Sequence, residues 1–515
     1  MANGTVIISP GVTEPIAAPR VNRVAFALLR CGLVAGGLVV LLSYLLLATA
    51  HIADLYQINF CSSIYASLAA YLNGGMFYPE LYDGAHYGGT RYMPLEFVLH
   101  AGLARLTGEY LISGKILAYS LAVALGCQLW FILRAFDCPR SVSLAAVSFL
   151  LLTECGYLAC TTIRGDLLPV VFQIAALFLL HREVNAGRSA LAGLLCTLAV
   201  LAKFSALWGP LAIMAYLLVR HRRQLAPFLA VLIASLGVAL LCCHVFSAGR
   251  MYANFASLSL AGLSPTDALL APLVMLWKLG RTGIAVAFLV PVLVVELASA
   301  ASQRRHTLFH YALYACLGTL LVIYSDRAAD SNHLLDLMVL AVVLCGSLWC
   351  NLPSLRQPDG WIRPALALAM LWVLFAGWTN ALVFPVINAG RSLYATRGVP
   401  HSIAPPLTDL LTADAPILAE DPWVELSRGR LPTVLDPYAL ARLSASHPEL
   451  TNPLVRRVEQ REFPYVVLLQ RMDVSSPTDR FQWEDRAFGP AVVSALRRNY
   501  HLYGEREGYF VYARD

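Results

Sequence analysis

The chain has 515 residues, of which 58% are hydrophobic and only 14% charged, with a formal net charge of +6. Soluble globular domains run about 45 to 50% apolar and about 25% charged, so this composition excludes an ordinary soluble globule and points to a polytopic α-helical membrane protein. The positive charge is spread over short loops between apolar runs and no DNA- or RNA-binding motif is present, so no nucleic-acid partner is expected.

Arg20, Arg23 and Arg30 attend the first apolar run, about 24–50, which ends in Ala48-Thr49-Ala50. That ending mimics a signal-peptidase site, but the run is too long for a typical signal core and reads as a retained signal anchor. Ten more apolar runs follow, near 112–133, 141–161, 167–181, 189–204, 206–219, 225–246, 280–300, 307–324, 333–350 and 364–387, giving about eleven expected transmembrane helices. With the N-terminus in the cytoplasm, Arg134 and Arg140, Arg182 and Arg188, Arg220 with Arg222 and Arg223, Arg304 and Arg305, and Arg356 and Arg363 all fall on the inner side, as the positive-inside rule asks. The expected organisation is a cytoplasmic tail (1–23), a transmembrane domain (24–388) with an external loop (51–111), and an external or periplasmic soluble domain (389–515). The expected location is the inner, cytoplasmic membrane.

The external loop opens on Asp54-Leu55-Tyr56-Gln57, and Phe60 to Leu72 is amphipathic and expected to lie along the membrane interface. After Asn73-Gly74-Gly75-Met76-Phe77-Tyr78-Pro79, the stretch Thr90-Arg91-Tyr92-Met93-Pro94-Leu95-Glu96 starts a short helix ending near Gly108, with proline at an early helical position. The tail beyond Asn388 carries fifteen Arg against sixteen Asp plus Glu, and no run long enough to span a bilayer. Short apolar strands (Ile417 to Ala419, Thr433 to Leu435, Tyr465 to Leu469) alternate with helical stretches (Pro437 to Ser446, Pro453 to Arg461). A closing hairpin, Tyr500 to Tyr503 with Tyr509 to Tyr512, completes a small α/β layer. The twelve cysteines lie almost wholly in apolar segments and read as core residues, not as a disulfide framework or zinc cluster.

Polar residues gather at the external ends of the runs. Asp54 sits at the rim of the first, where an acid is costly without water or a partner. Arg164-Gly165-Asp166 is squeezed between two runs; the two charges either pair with each other or present a second carboxylate and an anion-binding cation. Lys203, one of only three lysines, either snorkels to the headgroups or stabilises a phosphate at the rim. Ser325-Asp326-Arg327 and Asp330-Ser331-Asn332-His333 open the tenth run. Lys278 and Arg281 are weaker candidates. His86 and Glu96 lack ligand spacing for a metal; no metal site and no cofactor is predicted, and dependence on a divalent cation stays open.

These residues resemble the GT-C superfamily of membrane glycosyltransferases, in the branch of protein O-mannosyltransferases and lipid A aminoarabinose transferases. The resemblance rests on Asp54, the Asn-Gly-Gly-Met-Phe-Tyr-Pro and Tyr-Met-Pro-Leu stretches, Arg164-Gly165-Asp166, Ala202-Lys203-Phe204-Ser205 and Asn332-His333-Leu334-Leu335. In the tail it rests on Leu418-Ala419-Glu420-Asp421 and Leu435-Asp436-Pro437-Tyr438. Protein mannosyltransferases carry Asp-Glu where this chain has Asp54-Leu55, which argues against a protein mannosylation role. The resemblance implies inverting transfer of a sugar from a polyprenyl-phosphate donor to a lipid, glycan or protein acceptor outside the membrane. It makes Asp54 the general base and Asp166 a second catalytic carboxylate. Lys203 and Arg164 would bind the donor phosphate, and Arg91, Tyr92, Glu96 and His333 would touch substrate. The alternative is a transporter or flippase of a lipid-linked sugar, which would share the apolar bundle and an outer polar pocket.

Overall fold

The computed structural model describes residues 23–52, 60–259, 265–326, 329–352, 361–396, 407, 409–412, 415–472, 487–506 and 508–514. Asp54 and its neighbours Leu55 to Gln57 therefore lie outside the described residues, as do Arg327 and Arg356.

The first half of the chain forms α1 (Arg23–His51), α2 (Phe60–Asn73), α3 (Pro94–Thr107), α4 (Tyr110–Ala135), α5 (Arg140–Leu151), α6 (Glu154–Thr161), α7 (Leu167–Arg182), α8 (Ala186–Ala202), α9 (Trp208–Arg220) and α10 (Arg222–Phe246). Next come α11 (Arg250–Ser259), α12 (Pro265–Arg281), α13 (Ile284–Ser302), α14 (Leu308–Ile323), a 3₁₀ turn (Ser331–Leu334), α15 (Leu335–Asn351), α16 (Ile362–Ala381) and α17 (Val383–Thr396). Among the described residues six helices are long and apolar enough to cross a membrane, α5 and α6 form one bent pair, and α7, α8, α9 and α14 are shorter apolar helices. A perpendicular crossing takes about 20 residues, and these four, at 13 to 17 residues, fall short of it.

Two expectations are corrected. The run 141–161 is not one straight span: α5 and α6 meet at 78°. Thr153 starts α6 by accepting from Gly156 N–H at 3.1 Å, and a side chain at Gly156 would collide with the Leu150 carbonyl, so the corner needs both residues. Nor does α2 present a free face at the interface. Ser62 to Tyr71 are buried, because α3 and α4 pack on one side and the tail on another. Between the runs 225–246 and 280–300 the chain adds α11 and α12.

Burial ranks the helices. The segment Ser331–Asn351 is 83% buried and forms the centre of the bundle, whereas α10 is only 6% buried and faces outward. Even so, α10 packs closely on α8 along small residues: Thr197 Oγ1 meets Ser235 Oγ at 2.7 Å, and a Cβ on Gly193 would stand 2.6 Å from the Phe228 carbonyl oxygen.

The tail folds as β1 (Ile417–Ala419), α18 (Pro422–Leu426), α19 (Pro437–Ser446), α20 (Pro448–Glu459), β2 (Tyr465–Leu468), α21 (Pro490–Asn499), β3 (Tyr500–Arg506) and β4 (Tyr509–Arg514). The sheet order is β1-β2-β4-β3, with β1 and β2 parallel and the rest antiparallel. Asp421 and Asp436 cap α18 and α19 by accepting from Trp423 N–H (3.0 Å) and Ala439 N–H (2.9 Å), each followed by proline at the first helical position. Thr433 to Leu435 is not a strand of this sheet. Its backbone bonds Tyr87 of the long loop instead, through Tyr87 N–H to Thr433 O and Leu435 N–H to Tyr87 O, both 2.8 Å. Pro453 lies inside α20, so that helix starts earlier than expected. Loop and tail share apolar cores: Tyr87 packs with Leu454 and Val466, and Ile64 and Tyr71 pack with Trp423 and Leu435.

Gly193→Ala is expected to lower the melting temperature of the purified protein in detergent, because the facing contact is backbone that cannot yield; overpacking of this kind costs about 1–3 kcal/mol. Gly102→Ala, where a Cβ meets nothing within 4 Å, is the control expected to leave it unchanged.

Candidate functional site

The site begins with a turn that is pinned before it does anything. Ser62 Oγ on α2 donates to the Ile163 carbonyl and accepts from the Ile163 N–H, both at 3.1 Å. This clamp holds the corner between α6 and α7. Gly165 follows, at a place where any side chain would strike the Tyr65 hydroxyl. Asp166 then occupies the N-cap position of α7, yet its side chain makes no capping bond. It is turned toward two other elements.

Lys203 Nζ donates to Asp166 Oδ1 at 2.5 Å, and Asn332 Nδ2 reaches Oδ1 at 2.9 Å and Oδ2 at 3.1 Å. Lys203 is the C-cap of α8, where extended backbone carries its side chain out of the helix direction. Asn332 and His333 stand on the 3₁₀ turn, which Asp330 caps by accepting from Ser331 N–H at 2.7 Å. His333 Nδ1 lies 3.5 Å from Lys203 Nζ. Lys278, on α12, pairs with Asp330 at 3.2 Å. Residues 166, 203 and 332–333 thus meet although α8 and α15 are far apart in sequence.

Burial alone would push the Asp166 carboxyl up, but the charges of Lys203 and Arg164 and the hydrogen bond from Lys203 outweigh it and hold it below the ordinary aspartate range. Arg164 does not simply pair with its neighbour. Its Nε and Nη1 are buried without a hydrogen-bond partner, while the charges of Asp166 and Asp330 outweigh its burial and keep it firmly protonated. Buried donors without acceptors are rare in folded proteins and suit a group that awaits an anionic ligand.

The long loop adds a second layer. Tyr92 packs against Tyr65, ring centroids 4.8 Å apart, and Arg91 reaches Asp326 at 3.8 Å. Glu96, in the first turn of α3, is 2% exposed. Its burial, and then the nearby charge of Asp166, push its carboxyl up to about 8, so it is neutral at pH 7. His86 is elsewhere, bonding Asp83 at 3.2 Å, and among the described residues no group of three His, Cys, Asp or Glu could hold a metal ion. Of the expected site residues, Asp166, Lys203, Arg164, His333, Glu96, Tyr92 and Arg91 surround one region, and Asp54 is outside the described residues. Tyr65 and Asn332 were not singled out as site residues. Asn332 had a signal in standing beside His333, whereas Tyr65 had none, being one aromatic residue in an amphipathic helix.

The fold is similar to that of known structures. ArnT from Cupriavidus metallidurans, in the crystal structure bound to undecaprenyl phosphate, superposes with a TM-score of 0.55 over 91% of this chain and 97% of that one, at 13% identity. The chain shares the fold of this ArnT. The apo form of the same ArnT gives a TM-score of 0.50 at 12% identity, over 91% of this chain and 97% of that one. The archaeal oligosaccharyltransferase AglB from Archaeoglobus fulgidus, in complex with an inhibitory peptide and a dolichol-phosphate, gives 0.47 at 12% identity, over 93% of this chain and 74% of that one. No protein-family model matches the sequence, and no curated protein matches it.

The state of Glu96 has a measurable consequence. Its folded value of about 8 lies above its ordinary 4.5, so between these the folded protein keeps a proton that the unfolded chain has released. The stability this contributes is present in full below about pH 4.5 and is lost as pH rises toward about 8. Glu96→Gln removes the titration, so its melting temperature relative to the wild type is expected to climb steadily from about pH 5 to about pH 8. A constant difference across that window would refute the assignment.

Proposed function

We propose that this protein is an inverting glycosyltransferase that moves a sugar from a polyprenyl-phosphate donor to a lipid, glycan or protein acceptor at the external face of the cytoplasmic membrane. The observation that carries the reading is a cation-rich cluster with open donors, gathered at one end of the helix bundle of a GT-C fold. Lys203, Arg164 and Lys278 supply three positive charges against the carboxylates of Asp166 and Asp330, and Glu96 is neutral at pH 7. The balance favours an anion such as a phosphate.

In this reading the six long helices, the bent pair α5–α6 and the four shorter apolar helices make up the eleven crossings, the shorter ones spanning a bilayer locally thinned or filled by neighbours. The N-terminus is cytoplasmic, and the tail lies outside as a soluble α/β domain covering the site. Asp54 is the base. It belongs to the segment joining α1 to α2, and α2 is anchored through Ser62 to the turn that carries Asp166. The acceptor hydroxyl oxygen bonds the anomeric carbon from the face opposite the phosphate. The anomeric C–O bond breaks with its electron pair passing to the phosphate, and the hydroxyl proton goes to Asp54. Arg164, through its open Nε and Nη1, meets the growing phosphate charge first; Lys203 shares its ammonium between Asp166 and the phosphate. Asp166 orients the acceptor, and Arg91, Tyr92 and His333 line the substrate space. A flippase would place its polar groups near mid-depth, and here they stand at the ends of α7, α8 and α15.

The test is release of polyprenyl phosphate from radiolabelled polyprenyl-phosphate sugars by the purified protein. Asp54→Asn is expected to cut turnover by about 100- to 10,000-fold. Arg164→Gln is expected to raise KM for the lipid donor by about tenfold or more, reflecting the loss of a charge-assisted bond. An Asp54→Asn variant as fast as the wild type would rule out the assigned base.

A further inference from the structure

At the ends of the helices remote from Asp166 the bundle opens a cavity of about 480 Å³, lined among others by His181, Arg220, His221, Arg304, Arg305 and His306. It is one helix length from the candidate site: α7 runs from Asp166 to Arg182, about 24 Å at 1.5 Å per residue. The sequence accounts for these arginines as inner-side topology signals, but such signals need only lie on one side of the membrane. Here Arg220 at the end of α9 converges with Arg304 and Arg305 in the turn between α13 and α14, and α7 adds His181.

Three observations suggest that the convergence has a ligand. Arg305 donates from Nη2 to the buried Glu296 at 3.1 Å, but its Nε is buried with no partner. Among the described residues no carboxylate pairs with Arg220 or Arg304, so the single acid Glu296 leaves the cavity strongly cationic. Arg304 stands at φ 52° as the left-handed residue that closes α13, with Arg304 N–H donating to the Ala301 carbonyl at 3.2 Å and Arg305 N–H to the Ala300 carbonyl at 3.0 Å. Beside the cavity, Leu218 and Val219 on α9 and Tyr314 on α14 are about half exposed, giving an apolar wall that continues outward from the cations. A cationic pocket with an apolar margin fits a phosphodiester headgroup whose acyl chains lie along the helices, and a soluble phosphate would have no use for the margin.

We propose that this cavity binds the headgroup of an anionic phospholipid from the leaflet opposite the Asp166 site. Arg220 and Arg304 contact the phosphodiester, Arg305 donates through Nε, and the acyl chains rest against Leu218, Val219 and Tyr314. The site is independent of the transferase reading, since none of its residues belongs to the cluster around Asp166.

Full-length protein, delipidated in detergent, can be titrated by native mass spectrometry with phosphatidylglycerol, phosphatidylcholine and inorganic phosphate. Phosphatidylglycerol is expected to bind about tenfold or more tightly than phosphatidylcholine, and the double variant Arg220→Gln/Arg304→Gly to lose that preference, as removal of two cations near a phosphate requires. Both side chains are exposed and glycine relieves the φ at 304, so the variant should keep its melting temperature. Arg188→Gln, a cation at the start of α8 outside the cavity, should keep the preference. Equal binding of the two lipids, an undiminished preference in the double variant, or full displacement of phosphatidylglycerol by millimolar inorganic phosphate would each overturn the proposal.

Discussion

The ion pair between Asp166 and Lys203 is the contact on which the functional end of this molecule depends. Asp166 is 5% exposed, and a carboxylate so deeply buried is tolerable only when its charge is met and its oxygens are hydrogen-bonded. Lys203 meets the charge and Asn332 Nδ2 reaches both oxygens, leaving one acceptor site open on Oδ2. Because the three groups come from the α6–α7 turn, the C-cap of α8 and the 3₁₀ turn before α15, the need to satisfy one buried acid ties three helix ends together. Removing one member of such a pair costs about 3–5 kcal/mol in comparable proteins, since the other is left buried and unpaired.

The surroundings then differentiate two carboxylates. Asp166 is kept ionised by adjacent cations, whereas burial of Glu96 in the first turn of α3, and then the charge of Asp166, keep it neutral at pH 7. Two acids with opposite protonation states and a guanidinium with idle donors make an environment that is polar, cationic on balance and preorganised. Preorganisation is what the proposed transfer asks of such a site, because donors fixed in advance need no rearrangement when charge develops.

The long loop and the tail make one cover. Tyr87 joins Val434 by backbone pairing, the Tyr71 hydroxyl donates to the Pro432 carbonyl at 3.2 Å, and Arg250 Nε donates to the Tyr78 carbonyl at 2.7 Å. The loop is therefore held from above by the tail and from the side by α11. This explains why α2, amphipathic in sequence, is buried all round: its polar face is serines, which pack closely between elements without leaving a charge to solvate.

Much of this was legible in the residues themselves. Apolar runs set by bilayer thickness identified the helices, because hydrocarbon forces every backbone group to be satisfied within its own segment and leaves helices as the local solution. The helical stretch Pro437 to Ser446 coincides with α19, where Asp436 is the cap and proline takes the first helical position. The charged residues at helix ends were visible as candidates because they are expensive there. Sequence did not determine which of them meet. For Arg164 and Asp166, two apart, mutual pairing and separate roles both stood open, and the aspartate turns to Lys203 and Asn332 because their elements converge on it and leave Arg164 with open donors. The corner between α5 and α6, the diversion of Thr433 to Leu435 from the sheet to Tyr87, and the gathering of arginines around one cavity were likewise decided by tertiary structure. Periodicity and composition act within a segment; pairing, burial and cavity shape depend on contacts between segments, which have no local signature.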